Sequence, residues 1–70
     1  MSKVLLRRFG ERVRELRRRK KLSQEKLALE AGLDRSYVGG VERGDRNVSL
    51  VNIGKISKAL GVSLHTLLKL

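Results

Sequence analysis

This chain predicts an all-α fold of five short helices in one domain, and three observations carry the prediction. Apolar residues recur at helical spacing from end to end, and no stretch alternates as a strand would. Serine or aspartate stands ahead of four of the apolar runs and glycine behind three of them, which are the residues that open and close helices. The 70 residues contain no proline, no repeat and no low-complexity linker, so nothing divides residues 1–70 into separate units.

The first helix is predicted over residues 5–20, because Phe9, Val13 and Leu16 fall at i, i+4 and i+7 with Leu5 one turn earlier. Gly10 weakens it slightly. Ser23 caps a second helix over 24–31, with Glu25 well placed near its positive end. The capping box is incomplete, since Lys26 stands where Glu or Gln would reach back. Leu27 and Ala31 face inward with Ala28 beside them, and Leu29 falls off that face.

Asp34 is positioned to cap a third helix over 35–43, which stops at Gly44. At about 100° per residue, Val38, Val41 and Glu42 share one half with Tyr37 at its edge. Arg35, Ser36, Gly39, Gly40 and Arg43 share the other, which is small and basic and has no large apolar residue. Each glycine costs roughly 1 kcal/mol relative to alanine inside a helix. They are read either as backbone allowed close to a groove or as permissive surface. Ser49 caps a fourth helix over 49–60 with Leu50, Ile53, Ile56 and Leu60 inward, ended by Gly61. Ser63 caps a fifth over 63–69. Its leucines exceed what one face of a monomer's last helix needs, so Leu64, Leu67 and Leu68 are expected to form a two-fold dimer seam.

Composition bounds the chemistry. A domain this small buries only about 60% of the surface that its unfolded chain exposes, and with no cysteine it has no disulfide to help. No His, Asp and Glu cluster has metal-ligand spacing, His65 stands alone in an apolar segment, and no nucleophile, base and orienting group come together. Neither an enzyme nor a metal or cofactor site is expected. Only three residues follow Met1 before a charged helix, and no apolar run approaches spanning length, so a cytoplasmic protein without a membrane partner is expected.

The formal charge is +10 and is unevenly placed. Up to Lys21 there are ten Lys or Arg against Glu11 and Glu15, ten minus two giving +8, and the remainder nets +2. Such a chain attracts polyanions whatever its specificity. With only Tyr37 and Phe9 as aromatics there is no stacking platform for single strands. The Arg17 to Lys21 cluster reads as the solvated end of the first helix.

Specificity comes from Gln24 to Arg46, QEKLALEAGLDRSYVGGVERGDR. Counting Gln24 as the first position, Ala28 is fifth, Gly32 ninth and Val38 fifteenth. Ala28 is small enough for a second helix to cross closely, Gly32 can take the positive φ of a tight inter-helix turn, and Val38 turns back into the core. This is helix-turn-helix spacing, in which the second helix of the pair reads bases in the major groove.

With these residues in hand, about Leu5 to Leu68 resembles the Xre family of helix-turn-helix regulators, which includes the phage Cro and lambda-type repressors. LSQEKLA at Leu22 to Ala28, VERG at Val41 to Gly44 and ISKALGVS at Ile56 to Ser63 carry the resemblance. The string DRSYVGGVER followed by Arg46 and Asn47 is most similar to controller proteins of restriction-modification systems. Val48 stands where much of the wider family has proline.

The resemblance implies a compact lambda-repressor-like domain that binds a double-stranded, pseudo-palindromic operator as a homodimer, with no small-molecule ligand. It implies base contacts from Arg35, Ser36, Tyr37 and Gly40, backbone contacts from Gln24, Arg43, Arg46 and Asn47, and a structural ion pair between Arg17 and Glu42. A second reading is an antitoxin-type regulator that binds a partner toxin and represses its own promoter.

Overall fold

The computed structural model describes residues 2–70; Met1, from which the expectation of no leader was counted, lies outside them. Five helices follow in order: α1 Lys3–Arg19, α2 Gln24–Ala31, α3 Arg35–Arg43, α4 Leu50–Leu60 and α5 Leu64–Leu67. α1 packs across α3, α2 lies between α3 and α4, and α5 folds back on α4 and α1. Among the described residues no helix is long and apolar enough to cross a membrane.

α1 begins two residues earlier than its apolar spacing implied, because Ser2 caps it: the Ser2 hydroxyl accepts a hydrogen bond from the Leu5 amide at 3.1 Å. Its buried stripe is Leu6, Phe9, Gly10, Val13 and Leu16, so Leu6 supplies the first turn and Leu5 is exposed. At the other end Lys21 takes φ +59, the left-handed conformation that lets the Leu22 amide reach back to the Arg17 carbonyl at 3.1 Å. A Cβ is strained there. Lys21→Gly is therefore expected to stabilise the fold by about 0.5–1 kcal/mol, raising Tm by a few degrees in a thermal melt; an unchanged or lowered Tm would mean that the turn costs lysine nothing.

α2 is capped as predicted, Ser23 Oγ accepting from the Lys26 amide at 3.0 Å, and Gly32 ends it at φ +69. Leu27, Ala28 and Ala31 are buried and Leu29 is exposed. α3 differs at its start: Asp34 occupies the N-cap position, but its side chain makes no capping hydrogen bond. The helix ends at Gly44, φ +80, whose α-carbon sits so close to α1 that an added Cβ would stand 2.9 Å from Arg7 Cα.

Ser49 caps α4 through the Asn52 amide at 3.1 Å. Ile53, Ile56 and Leu60 are buried as expected, but Leu50 is 72% exposed and points away from the core. Val48, just before the cap, is buried instead. Val48 and Ile53 thus occupy the two positions of a hydrophobic staple, a place that proline's rigid ring would fill differently. α5 is shorter than predicted, and Leu67 is fully buried within its own chain. It has no surface left for a partner, whereas Leu64 and Leu68 remain 43% exposed.

Two cations seal helix ends in ways the apolar pattern did not reveal. Arg12 on α1 donates from Nε and Nη2 to the Thr66 carbonyl at 3.2 and 3.0 Å, tying down α5. Lys20 donates to the Ala59 carbonyl at 3.2 Å near the end of α4.

Candidate nucleic-acid interface

α2 and α3 form the helix-turn-helix. What sets their attitude to the rest of the domain is a single carboxylate. Glu42, the next-to-last residue of α3, is completely buried at its side chain. Arg17 of α1 grips it with two donors, Nε to Oε2 at 2.6 Å and Nη2 to Oε1 at 3.0 Å, and spends its third on the Leu22 carbonyl at 2.8 Å. Gln24 at the head of α2 donates its amide to Oε1 at 3.0 Å, and Arg14 adds a longer contact of 3.4 Å. One acceptor on α3 thus joins α1, α2 and α3. Burial alone would push the Glu42 carboxyl up, but the hydrogen bonds from Arg17 and Gln24, the Arg17 charge and the Arg14 contact outweigh it, and the pKa lies below the ordinary carboxylate value.

On the opposite half of α3, Arg35 and Ser36 are exposed at the first turn. Arg35 stands at the positive end of the helix, where the backbone dipole disfavours a cation. Its guanidinium makes no salt bridge among the described residues. Tyr37 is half-buried against the core, and its Oη accepts a hydrogen bond from Asn52 Nδ2 at 3.0 Å.

The two glycines that the helical wheel turned outward are both buried. A Cβ on Gly39 would stand 3.3 Å from Arg43 Nη1 and 3.7 Å from Gln24 Oε1, and one on Gly40 would stand 2.9 Å from Arg46 Cγ. Gly40 therefore presents no bare backbone; the surface above it belongs to Arg46. The glycine face gathers Gln24, Arg43 and Arg46 over the outer side of α3.

Arg43 Nε also meets Asp45 Oδ2 at 2.9 Å, an exposed pair worth little to stability and easily exchanged for a stronger anion. Asn47 is exposed and lines a recess of about 430 Å³ together with Lys3, Arg7 and Arg43. Seen from outside, the site carries guanidinium and amide donors: Arg35 and Ser36 in the first turn of α3, Arg43 in its last, and Arg46 folded back over Gly40 towards Tyr37. Such a surface offers bidentate donors for base edges and point contacts for phosphate oxygens.

Comparison with known proteins agrees with this fold. A helix-turn-helix family model matches residues 13–67. The control protein C.BamHI of Bacillus amyloliquefaciens is 59% identical over 61 residues, covering 86% of this chain and 75% of that protein. Among solved structures, the restriction-modification controller protein C.AhdI from Aeromonas hydrophila superposes with a TM-score of 0.87 at 64% identity, covering 89% of this chain and 94% of that one. The controller protein C.Esp1396I, solved as a tetramer in complex with its natural 35 base-pair operator, matches with a TM-score of 0.81 at 37% identity over 84% of this chain and 78% of that one.

Proposed function

The chain belongs to the helix-turn-helix family and, within it, to the restriction-modification controller proteins, and from that premise we propose that it is a sequence-specific, DNA-binding transcriptional regulator acting as one domain. It sits as a homodimer on a pseudo-palindromic operator with α3 in the major groove. The observation that carries this reading is the outward half of α3: exposed Arg35 and Ser36 on a helix whose other half is locked to the core. Similarity to a controller solved with its operator supports the partner. Similarity to DNA-binding regulators supports the cytoplasm as its place of work.

Each residue then has a role. Arg35 makes a bidentate contact with guanine, Ser36 reaches a neighbouring base, and Tyr37 meets backbone or a thymine methyl from the helix edge. Gln24 brings the α2 N-terminus to a phosphate, and Arg43, Arg46 and Asn47 hold the flanking backbone or minor groove. The two-fold contact draws on Leu64 and Leu68, with Leu50 and Val51 adding exposed apolar surface on α4.

Selection of bound duplexes from a random DNA pool at about 0.15 M salt is expected to return a two-fold symmetric consensus with half-sites about 34 Å apart. Enrichment of no sequence would leave charge-driven binding alone. On that consensus Arg35→Ala is expected to lose about 1–3 kcal/mol of discrimination at one base pair per half-site, with a smaller loss on scrambled duplex. Equal losses on both duplexes would show that Arg35 contacts only the backbone.

A further inference from the structure

A residue on the outward half of a surface helix ordinarily meets solvent, yet Gly40 is buried, and its cover comes from a residue six positions on, beyond the end of the helix. A Cβ at Gly40 would stand 2.9 Å from Arg46 Cγ, 3.2 Å from Nε and 3.6 Å from Cδ, so the arginine stem lies directly against the glycine backbone. From there the guanidinium carbon lies 5.4 Å from the centroid of the Tyr37 ring, within stacking range of a cation and an aromatic face. The ring itself is held, by the core on one side and by Asn52 Nδ2 on its hydroxyl at 3.0 Å. The neighbours of Arg46 in its loop, Asp45 and Asn47, are exposed.

We propose that Gly40, Tyr37 and Asn52 build a seat that pre-positions Arg46 for DNA, and that Gly40 and Asn52 are positioning residues which act on DNA only through that arginine. The proposal deepens the DNA-binding reading and rests on it. Stacking occupies the flat face of the guanidinium and leaves its edge N–H donors free for acceptors on the duplex. A long side chain already held in place has less freedom to lose when it binds. Glycine is required because anything larger lifts the stem off the helix, and the ring contact goes with it.

The helical wheel left glycine two other purposes, close approach of the groove to bare backbone or a merely permissive surface, and a double-mutant cycle separates both from the seat. Gly40→Ala, Arg46→Ala and the double variant are titrated against the selected consensus duplex and a scrambled one, with a thermal melt of each. Gly40→Ala is expected to weaken consensus binding about 3- to 10-fold while leaving Tm unchanged or raised, since alanine is the better helix residue. In the Arg46→Ala background the same substitution is expected to change binding no further, and Asn52→Ala to show a smaller loss with the same dependence. Additive losses would assign Gly40 to groove approach and overturn the seat, as would unaltered binding or a loss that tracks a lowered Tm.

Nitrogen relaxation at the Arg46 Nε–H of the free protein gives a reading independent of DNA. Restricted motion in the wild type that is released in Gly40→Ala supports the seat. Motion as free as that of Arg35 in the wild type overturns it, whatever the duplex titrations show. Absence of any preferred duplex for the wild type, with Arg46 restrained, would instead defeat the DNA reading and the purpose assigned to the seat along with it.

Discussion

Gly10→Ala is expected to destabilise the fold by about 3 kcal/mol, the upper end of what overpacking costs, although helix propensity alone would have alanine stabilise by about 1 kcal/mol. Gly10 lies at the crossing of α1 and α3. A Cβ there would lie well inside contact distance of the Val41 carbonyl oxygen and 2.7 Å from that of Glu42. Both obstacles are backbone, so no side chain can swing aside, and the helices must part. Parting also stretches the Arg17 to Glu42 contact that spans the same crossing. In a domain of this size the loss corresponds to a fall in Tm of more than about 12 °C. Paired thermal and urea melts measure it, and a Tm at or above the wild-type value would show that the crossing has slack.

Arg17→Met is expected to cost about 3–5 kcal/mol at neutral pH, because it strands a buried carboxylate after removing the partner that holds it with two donors. Gln24 and the distant Arg14 remain, and methionine keeps most of the apolar stem, so the loss reports the charge more than the packing. The pH dependence gives a second check. The Glu42 pKa is lowered in the folded protein, so its contribution is fully present above the unfolded value of about 4.3 and is lost as pH falls through the folded value. In the variant the stranded carboxylate gains by taking up a proton. The stability gap between wild type and Arg17→Met should therefore narrow steadily as pH is lowered from 7 towards 3. A gap constant from pH 7 to pH 3 would mean that the pair contributes through shape alone.

What the sequence made legible followed the helical wheel and the helix ends. Gly32, Gly44 and Gly61 all take the positive φ that ends a helix, and Ser23, Ser49 and Ser63 all cap. Errors arose where a stripe had to be extended past its last firm member. Counting back from Phe9, a step of four gives Leu5 and a step of three gives Leu6, and only the neighbouring helix decides between them. Leu50 continues the stripe of Ile53 and Ile56 but lies beyond the edge of the core, where Val48 already fills the space.

Glycines inside helices were the least legible. Gly10 and Gly40 look alike as defects in a propensity scale, yet one admits a crossing helix and the other an arginine stem. The partner in each case is distant in the chain or reached around a turn, and no local pattern announces it. In the candidate site the wheel separated the inward from the outward residues of α3 correctly for Arg35, Ser36, Val38, Val41 and Glu42. It failed for the two glycines, because a wheel has no place for long side chains that fold back over a neighbour, Arg43 from the same helix and Gln24 over Gly39, and Arg46 from the following loop over Gly40.

Glu42 is anchored to Arg17 on the core-facing side of α3, and Arg35 and Ser36 stand exposed on its outward half, outside that contact. Positions 35 and 36 are therefore free to vary without disturbing the attitude of the helix that carries them, so the address a protein of this design seeks can be rewritten independently of its frame. Selection and engineering alike can diversify those two positions on an unchanged scaffold. Arg46 is less interchangeable: its orientation is written into three other residues, and a new side chain there would inherit a berth shaped for a guanidinium.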